Sequence, residues 1–181
     1  LAPPPPCDKL CLMPTPATKP TAQVVAAQPR REAKPPPPCI MVIFGAGGDL
    51  TKRLLVPALY NLSRTNLLPE QFVIVGVDAV QQDVAKWRDS LHAMLQSFLG
   101  NPSSESRIDS IDDEAWQRLA GAMSYLSGDF NDPNLYDKLH SHLHEQAQQR
   151  QTQGNVLFYL AVADRFFGPI IEHLGHAGLN D

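Results

Sequence analysis

The sequence predicts a doubly wound α/β domain on three observations. Short apolar runs at Ile40–Phe44, Phe72–Val77, Met123–Leu126 and Val156–Val162 have the length and composition of buried parallel strands. Segments with helical apolar spacing separate them. The first run passes straight into Gly45-Ala46-Gly47-Gly48, where a helix begins. Strands alternating with helices call for a parallel sheet covered on both faces, and right-handed crossovers make it doubly wound.

Length and composition agree with one such domain. The chain has 181 residues, against roughly 100–200 per domain. Apolar residues at 43% and charged residues at 19% suit a soluble globular core. A formal charge of −4 gives no basic field, which disfavours nucleic acid as a partner. No stretch reaches the ~18 apolar residues of a membrane span, and the first residues lack the pattern of a secretory signal. These features point to the cytoplasm.

The chain divides near Cys39. Of 17 prolines, 12 lie in residues 1–39, and five basic against two acidic residues give that segment +3. The remainder therefore carries −7. A proline-rich leader of this kind favours polyproline II and stays disordered. It is either a semi-rigid spacer or a ligand for an aromatic groove. Cys7, Cys11 and Cys39 are read as thiols of a reducing compartment, since no second Cys/His pair completes a zinc site.

From Ile40 onward the elements follow in order. A helix is expected over Asp49–Arg64, with Leu50, Leu54, Leu55, Ala58, Leu59 and Leu62 on one face and a kink or restart at Pro57. After the second strand a helix runs from Val84 to Leu99 and stops at Asn101-Pro102-Ser103-Ser104. A shorter helix, Glu114–Ala122, leads into strand three. Pro133 opens a helix to about Gln149, a favoured first-turn position. Strand four follows, and then a helix at Phe166–Leu174.

The glycine turn carries the chemistry. In a doubly wound sheet the first strand–helix turn lies where a dinucleotide binds, its pyrophosphate against the helix N-terminus. Small residues let the backbone amides approach phosphate oxygens closely. Gly45, Ala46, Gly47, Gly48, Asp49 and Leu50 are the candidate phosphate turn. The third glycine of a strict G-x-G-x-x-G falls on Leu50, and no G-K-[ST] is present. Asp49 is expected to turn inward and cap the helix. Lys52 and Arg53 are expected to face solvent.

Asp78 ends the second strand, where a carboxylate accepts from ribose hydroxyls and opposes a 2′-phosphate. It lies 30 residues beyond Gly48, longer than the usual ~20. His140, His142 and His144 read as a solvated helix rather than a metal site, so no metal ligand is assigned. Trp87 and Trp116 read as core. His92, His173 and His176 have no partner identifiable from sequence.

The run Val42–Leu62, containing Gly45-x-x-Gly48-Asp49-Leu50-x-x-Arg53-x-Leu55-x-Pro57-Ala58-Leu59-Tyr60, resembles the opening of glucose-6-phosphate dehydrogenases. Ser127-Gly128-Asp129-Phe130 and Phe158–Val162 followed by Phe166-Phe167 agree in order and spacing. The resemblance covers about residues 40–181 and implies an incomplete Rossmann-like domain for NADP or NAD. That family oxidises glucose 6-phosphate at C1 to the 6-phosphogluconolactone. The resemblance places the nicotinamide beside Ala161-Val162 and implies a homo-oligomer when the protein is complete.

Three departures from the family pattern matter. Ala79, preceded by Asp78, stands where many members have an arginine for the 2′-phosphate, which favours NAD or dual use. Leu54 replaces a lysine on the substrate side, and Asp164 replaces a proline after strand four. The family's general-base histidine, its aspartate and the Glu-Lys-Pro lysine are expected beyond Asp181. No catalytic residue is therefore assigned, and the chain alone is expected to bind without turnover. The other reading is a non-catalytic binding remnant or interaction module that displays its proline-rich arm.

Overall fold

The computed structural model describes residues 36–100 and 108–179. All but the last four residues of the expected leader, with Cys7 and Cys11, lie outside them, as does the expected helix stop at 101–104. Four parallel strands form one sheet in the order β3-β2-β1-β4. They are β1 (Cys39–Phe44), β2 (Phe72–Asp78), β3 (Met123–Ser127) and β4 (Val156–Leu160). Cys39 pairs with Phe72, so the first strand starts one residue earlier than expected.

Apolar runs become strands here because both faces of the sheet are covered. Met41, Ile43 and Ile74 pack under α1 (Val56–Arg64), α2 (Val84–Ser97) and α3 (Asp113–Gly121). Ile40, Val42, Phe44, Val73, Val75 and Val77 pack under α4 (Pro133–Arg150) and α5 (Phe167–His176). Each such side chain, fully removed from water, contributes about 1.5–3 kcal/mol. β1 is therefore apolar at every position, while the helices are apolar on one stripe.

Helix starts follow the sequence chemistry. Asp83, Asp112 and Asp132 each accept from a backbone amide two or three residues on, capping α2, α3 and α4. Pro133 occupies the first turn of α4, where its missing N–H costs nothing. Gln151 ends that helix in the left-handed region.

Of the kink or restart expected at Pro57, the structure shows a restart: the chain runs through a π-helical turn, Thr51–Leu55, and α1 begins at Val56 with Pro57 in its first turn. The Val56 amide reaches back to the Thr51 carbonyl, and the widened turn gives the Pro57 ring room above the preceding carbonyls. A short 3-10 turn, Asp164–Phe166, likewise precedes α5.

Two histidines read as unpartnered do have partners. His92 stacks on Trp116 with centroids 5.0 Å apart, and His173 lies 4.9 Å from the Tyr136 ring. Both contacts join residues distant in sequence, on different helices. His142, expected in solvent, is half-buried with Nε2 2.8 Å from Ser124 Oγ. His140 and His144 are exposed, as read, and His144 bonds Gln148 one turn on.

Candidate nucleotide site

The turn after β1 is fixed by its own backbone and by β2. The amides of Gly45 and Ala46 donate to the Val77 carbonyl at 2.8 and 3.2 Å, so the chain leaves the sheet tethered to its neighbour strand. Gly48 N–H donates to the Gly45 carbonyl at 3.0 Å, closing a tight turn, and Thr51 Oγ1 donates to the same carbonyl at 2.9 Å. Gly45 has φ +83, and a Cβ there would lie 2.3 Å from the Ala161 carbonyl oxygen. Only glycine fits.

The helix ladder begins with Lys52 N–H to the Gly48 carbonyl at 3.2 Å. Gly48 is therefore the cap position. The amides of Asp49, Leu50 and Thr51 precede the ladder and have no i−4 partner within the helix. Those three N–H groups sit at the positive end of the helix dipole, at the C-terminal end of the sheet.

Asp49 does not cap the helix. It occupies the first helical position, one past the cap, and its exposed carboxylate pairs outward with Arg53 at 3.2 Å. The carboxylate that does turn toward this loop is that of Asp78, whose Oδ2 accepts from Gly47 N–H, one residue before the cap, at 2.7 Å. Asp78 Oδ1 accepts from Val80 N–H at 3.1 Å. Each oxygen keeps a second lone pair, so the carboxylate can still accept from a ligand hydroxyl.

The remaining sequence candidates surround the turn. Ala79 is exposed beside Asp78, and Ala161 lies at the end of β4 with its carbonyl against Gly45. Ala46 is fully buried, so its part is structural and its side chain does not line the surface. Leu50 is 39% exposed and Lys52 half-buried, while Arg53 is exposed and occupied by Asp49.

Sequence reasoning missed two supports of this site. Trp87, read as core, is fully buried and also donates from Nε1 to the Ala46 carbonyl at 2.9 Å. Its ring fills the space over Gly76, where a Cβ would lie 2.7 Å from it. Tyr125 donates from its hydroxyl to the Val80 carbonyl at 2.8 Å, bracing the strand end. Burial, with the Asp78 charge adding to it, raises the Tyr125 pKa, so the hydroxyl stays a donor. No local sequence signal marks either residue, because both partners are about 40 positions away.

The arrangement fits a dinucleotide. The exposed residues Asp49 and Leu50 carry amides ahead of the helix ladder, and the Asp78 carboxylate stands beside the turn at the end of the second strand, the elements such a ligand requires. A cavity of about 630 Å³ lined by Ser63, Phe72, Arg118 and Arg150 lies at the opposite end of the strands and takes no part. Among the described residues, no group of three or more metal-ligating side chains gathers, and no helix is long and apolar enough to cross a membrane.

Comparison with known proteins gives the same answer independently. The family described as glucose-6-phosphate dehydrogenase, NAD binding domain, matches residues 42–181. Glucose-6-phosphate 1-dehydrogenase of Chlamydia muridarum is 40% identical over 138 residues, covering 76% of this chain and 26% of that protein. The Aggregatibacter actinomycetemcomitans protein of the same name is 34% identical over 142 residues, covering 78% and 27%. The crystal structure of the Mycobacterium avium enzyme superposes with a TM-score of 0.66 at 30% identity, over 80% of this chain and 28% of that one. The chain thus spans about a quarter of the length of the relatives it matches. A sheet built around a glycine turn and a second-strand carboxylate, matched over most of its length, belongs to the glucose-6-phosphate dehydrogenase family as its NAD-binding domain.

Proposed function

We propose that this chain is the coenzyme-binding part of a glucose-6-phosphate dehydrogenase and that NAD is its preferred coenzyme. The complete protein would oxidise glucose 6-phosphate at C1 to the 6-phosphogluconolactone, in the cytoplasm and as a homo-oligomer. When bound, the nicotinamide supplies the hydride acceptor. This chain's residues bind and orient it: Gly45, Gly47 and Gly48 keep the backbone close, and the amides of Asp49 and Leu50 hold the diphosphate. Ala46 anchors the turn, and Ala161 lines the nicotinamide side.

The preference for NAD rests on Asp78. Its carboxylate stands at the end of β2 with exposed Ala79 beside it, where a 2′-phosphate would meet an anion. Like charges so placed repel, which disfavours a 2′-phosphate there. The chain alone binds without turnover, since none of its described histidines lies at the turn; His92, His142 and His173 are engaged with Trp116, Ser124 and Tyr136. Calorimetric titration of the chain with each coenzyme tests the reading. NAD binding more tightly than NADP supports it, and the reverse order overturns the assignment of Asp78.

A further inference from the structure

The space over Gly47 has polar walls. A Cβ built on Gly47 would lie 3.2 Å from Asp78 Oδ2 and 3.6 Å from Gln82 Nε2. A carboxylate and a carboxamide thus border the volume that a side chain there would occupy. Gly47 is the second glycine of the turn, the position at which a bound dinucleotide needs the room. Gln82 lies in the loop between β2 and α2, and nothing in its local sequence marks it; the fold brings it to the turn.

That loop is fixed before any ligand arrives. Val80 is pinned at both of its backbone groups: its N–H donates to Asp78 Oδ1 at 3.1 Å, and its carbonyl accepts from the Tyr125 hydroxyl at 2.8 Å. Asp83, next after Gln82, caps α2 by accepting from the Ala85 amide at 2.7 Å. Gln82 is therefore anchored on either side, and its half-buried carboxamide reaches the Tyr125 hydroxyl. Little ordering is left for a ligand to impose on it.

A ribose hydroxyl both donates and accepts. A carboxylate only accepts, so Asp78 takes the hydroxyl's proton in a hydrogen bond and leaves its oxygen without a donor. A carboxamide nitrogen carries two N–H groups, one for Tyr125 and one to give. On the reading that this turn holds NAD, we propose that Gln82 is a second specificity-determining residue, donating from Nε2 to the oxygen of the adenosine 2′-hydroxyl whose proton Asp78 accepts. The pair is matched to a hydroxyl and to nothing else at that carbon. A 2′-deoxyribose leaves both side chains unmet, and a 2′-phosphate meets the Asp78 charge.

Calorimetric titration of the full 181-residue chain and its Gln82→Leu variant tests this, with NAD and with NAD lacking the adenosine 2′-hydroxyl. Losing one uncharged hydrogen bond should weaken NAD about 5-fold in the variant and leave the deoxy ligand within about 2-fold of its wild-type affinity. A packing effect of the substitution moves both ligands equally, so the ratio isolates the hydroxyl. A second reading needs no variant: the side-chain NH2 resonances of Gln82 should shift on saturation with NAD and move less with the deoxy ligand. NAD affinity indifferent to Gln82→Leu, equal weakening of both ligands, or NH2 resonances unmoved by NAD overturns the role of Gln82 and leaves the coenzyme reading standing. A wild-type chain with no saturable NAD binding overturns both.

Discussion

Asp78 Oδ2 accepts a 2.7 Å hydrogen bond from the Gly47 amide, tying the end of the second strand to the glycine turn across 31 residues. One carboxylate thereby holds the turn in shape and, in the function proposed, also sets the charge beside the coenzyme's ribose.

Asp78→Asn keeps an acceptor for Gly47 and removes the charge. The wild-type chain is expected to favour NAD by at least ~10-fold, and the variant to lose most of that preference through tighter NADP binding. Parallel calorimetric titrations with both coenzymes check this. An unchanged preference would mean that the charge is not the discriminator.

Gly45→Ala should be severe without touching any ligand. At φ +83 a side chain is strained, and its Cβ would lie 2.3 Å from the Ala161 carbonyl oxygen. A loss on the order of 3 kcal/mol is expected, seen as a fall in Tm of about 10 °C. A melt within two or three degrees of wild type would show that the turn is softer than described.

Much of this was legible in the sequence because the signals were local. Four apolar runs, a glycine turn directly after the first and a carboxylate directly after the second are all read within a few residues. What was misread depends on distant partners. Asp49 was expected to cap the helix, but Gly48 holds the cap position, Asp78 already bonds the Gly47 amide and Arg53 waits one turn away. Trp87 shows the apolar spacing of a core residue, and nothing near it in sequence reveals that its indole N–H holds the Ala46 carbonyl. His92 and His173 seemed unpartnered because their aromatic neighbours sit on other helices.

Trp87→Phe tests whether the turn is held from beneath. It removes the 2.9 Å bond to Ala46 and part of the packing over Gly76, so a stability loss of about 2–3 kcal/mol is expected. Coenzyme binding should weaken as well, because the freed Ala46 carbonyl lets the turn shift. Lost stability with unaltered coenzyme affinity would assign Trp87 to packing alone.

Acid should destabilise the fold through His142. Burial lowers its pKa in the folded chain, with Glu145 opposing weakly, so the unfolded chain takes up the proton first. The contribution is complete above the unfolded value near 6.5 and is lost as pH falls below it toward the folded pKa. Melts from pH 7.5 to 5 should show Tm falling in that window. His142→Gln, which keeps a polar partner for Ser124, should flatten the fall. An equally steep fall in the variant would move the effect to other groups.

The central proposal is that the amides of Asp49 and Leu50, ahead of the Lys52–Gly48 bond, hold the diphosphate of a dinucleotide. Amide-resolved NMR of the chain during titration with NAD observes both groups directly. The largest saturable shifts are predicted at Asp49 and Leu50, with Gly47 responding through Asp78. Saturable binding that leaves those two amides unmoved, or no binding at millimolar NAD, would contradict it.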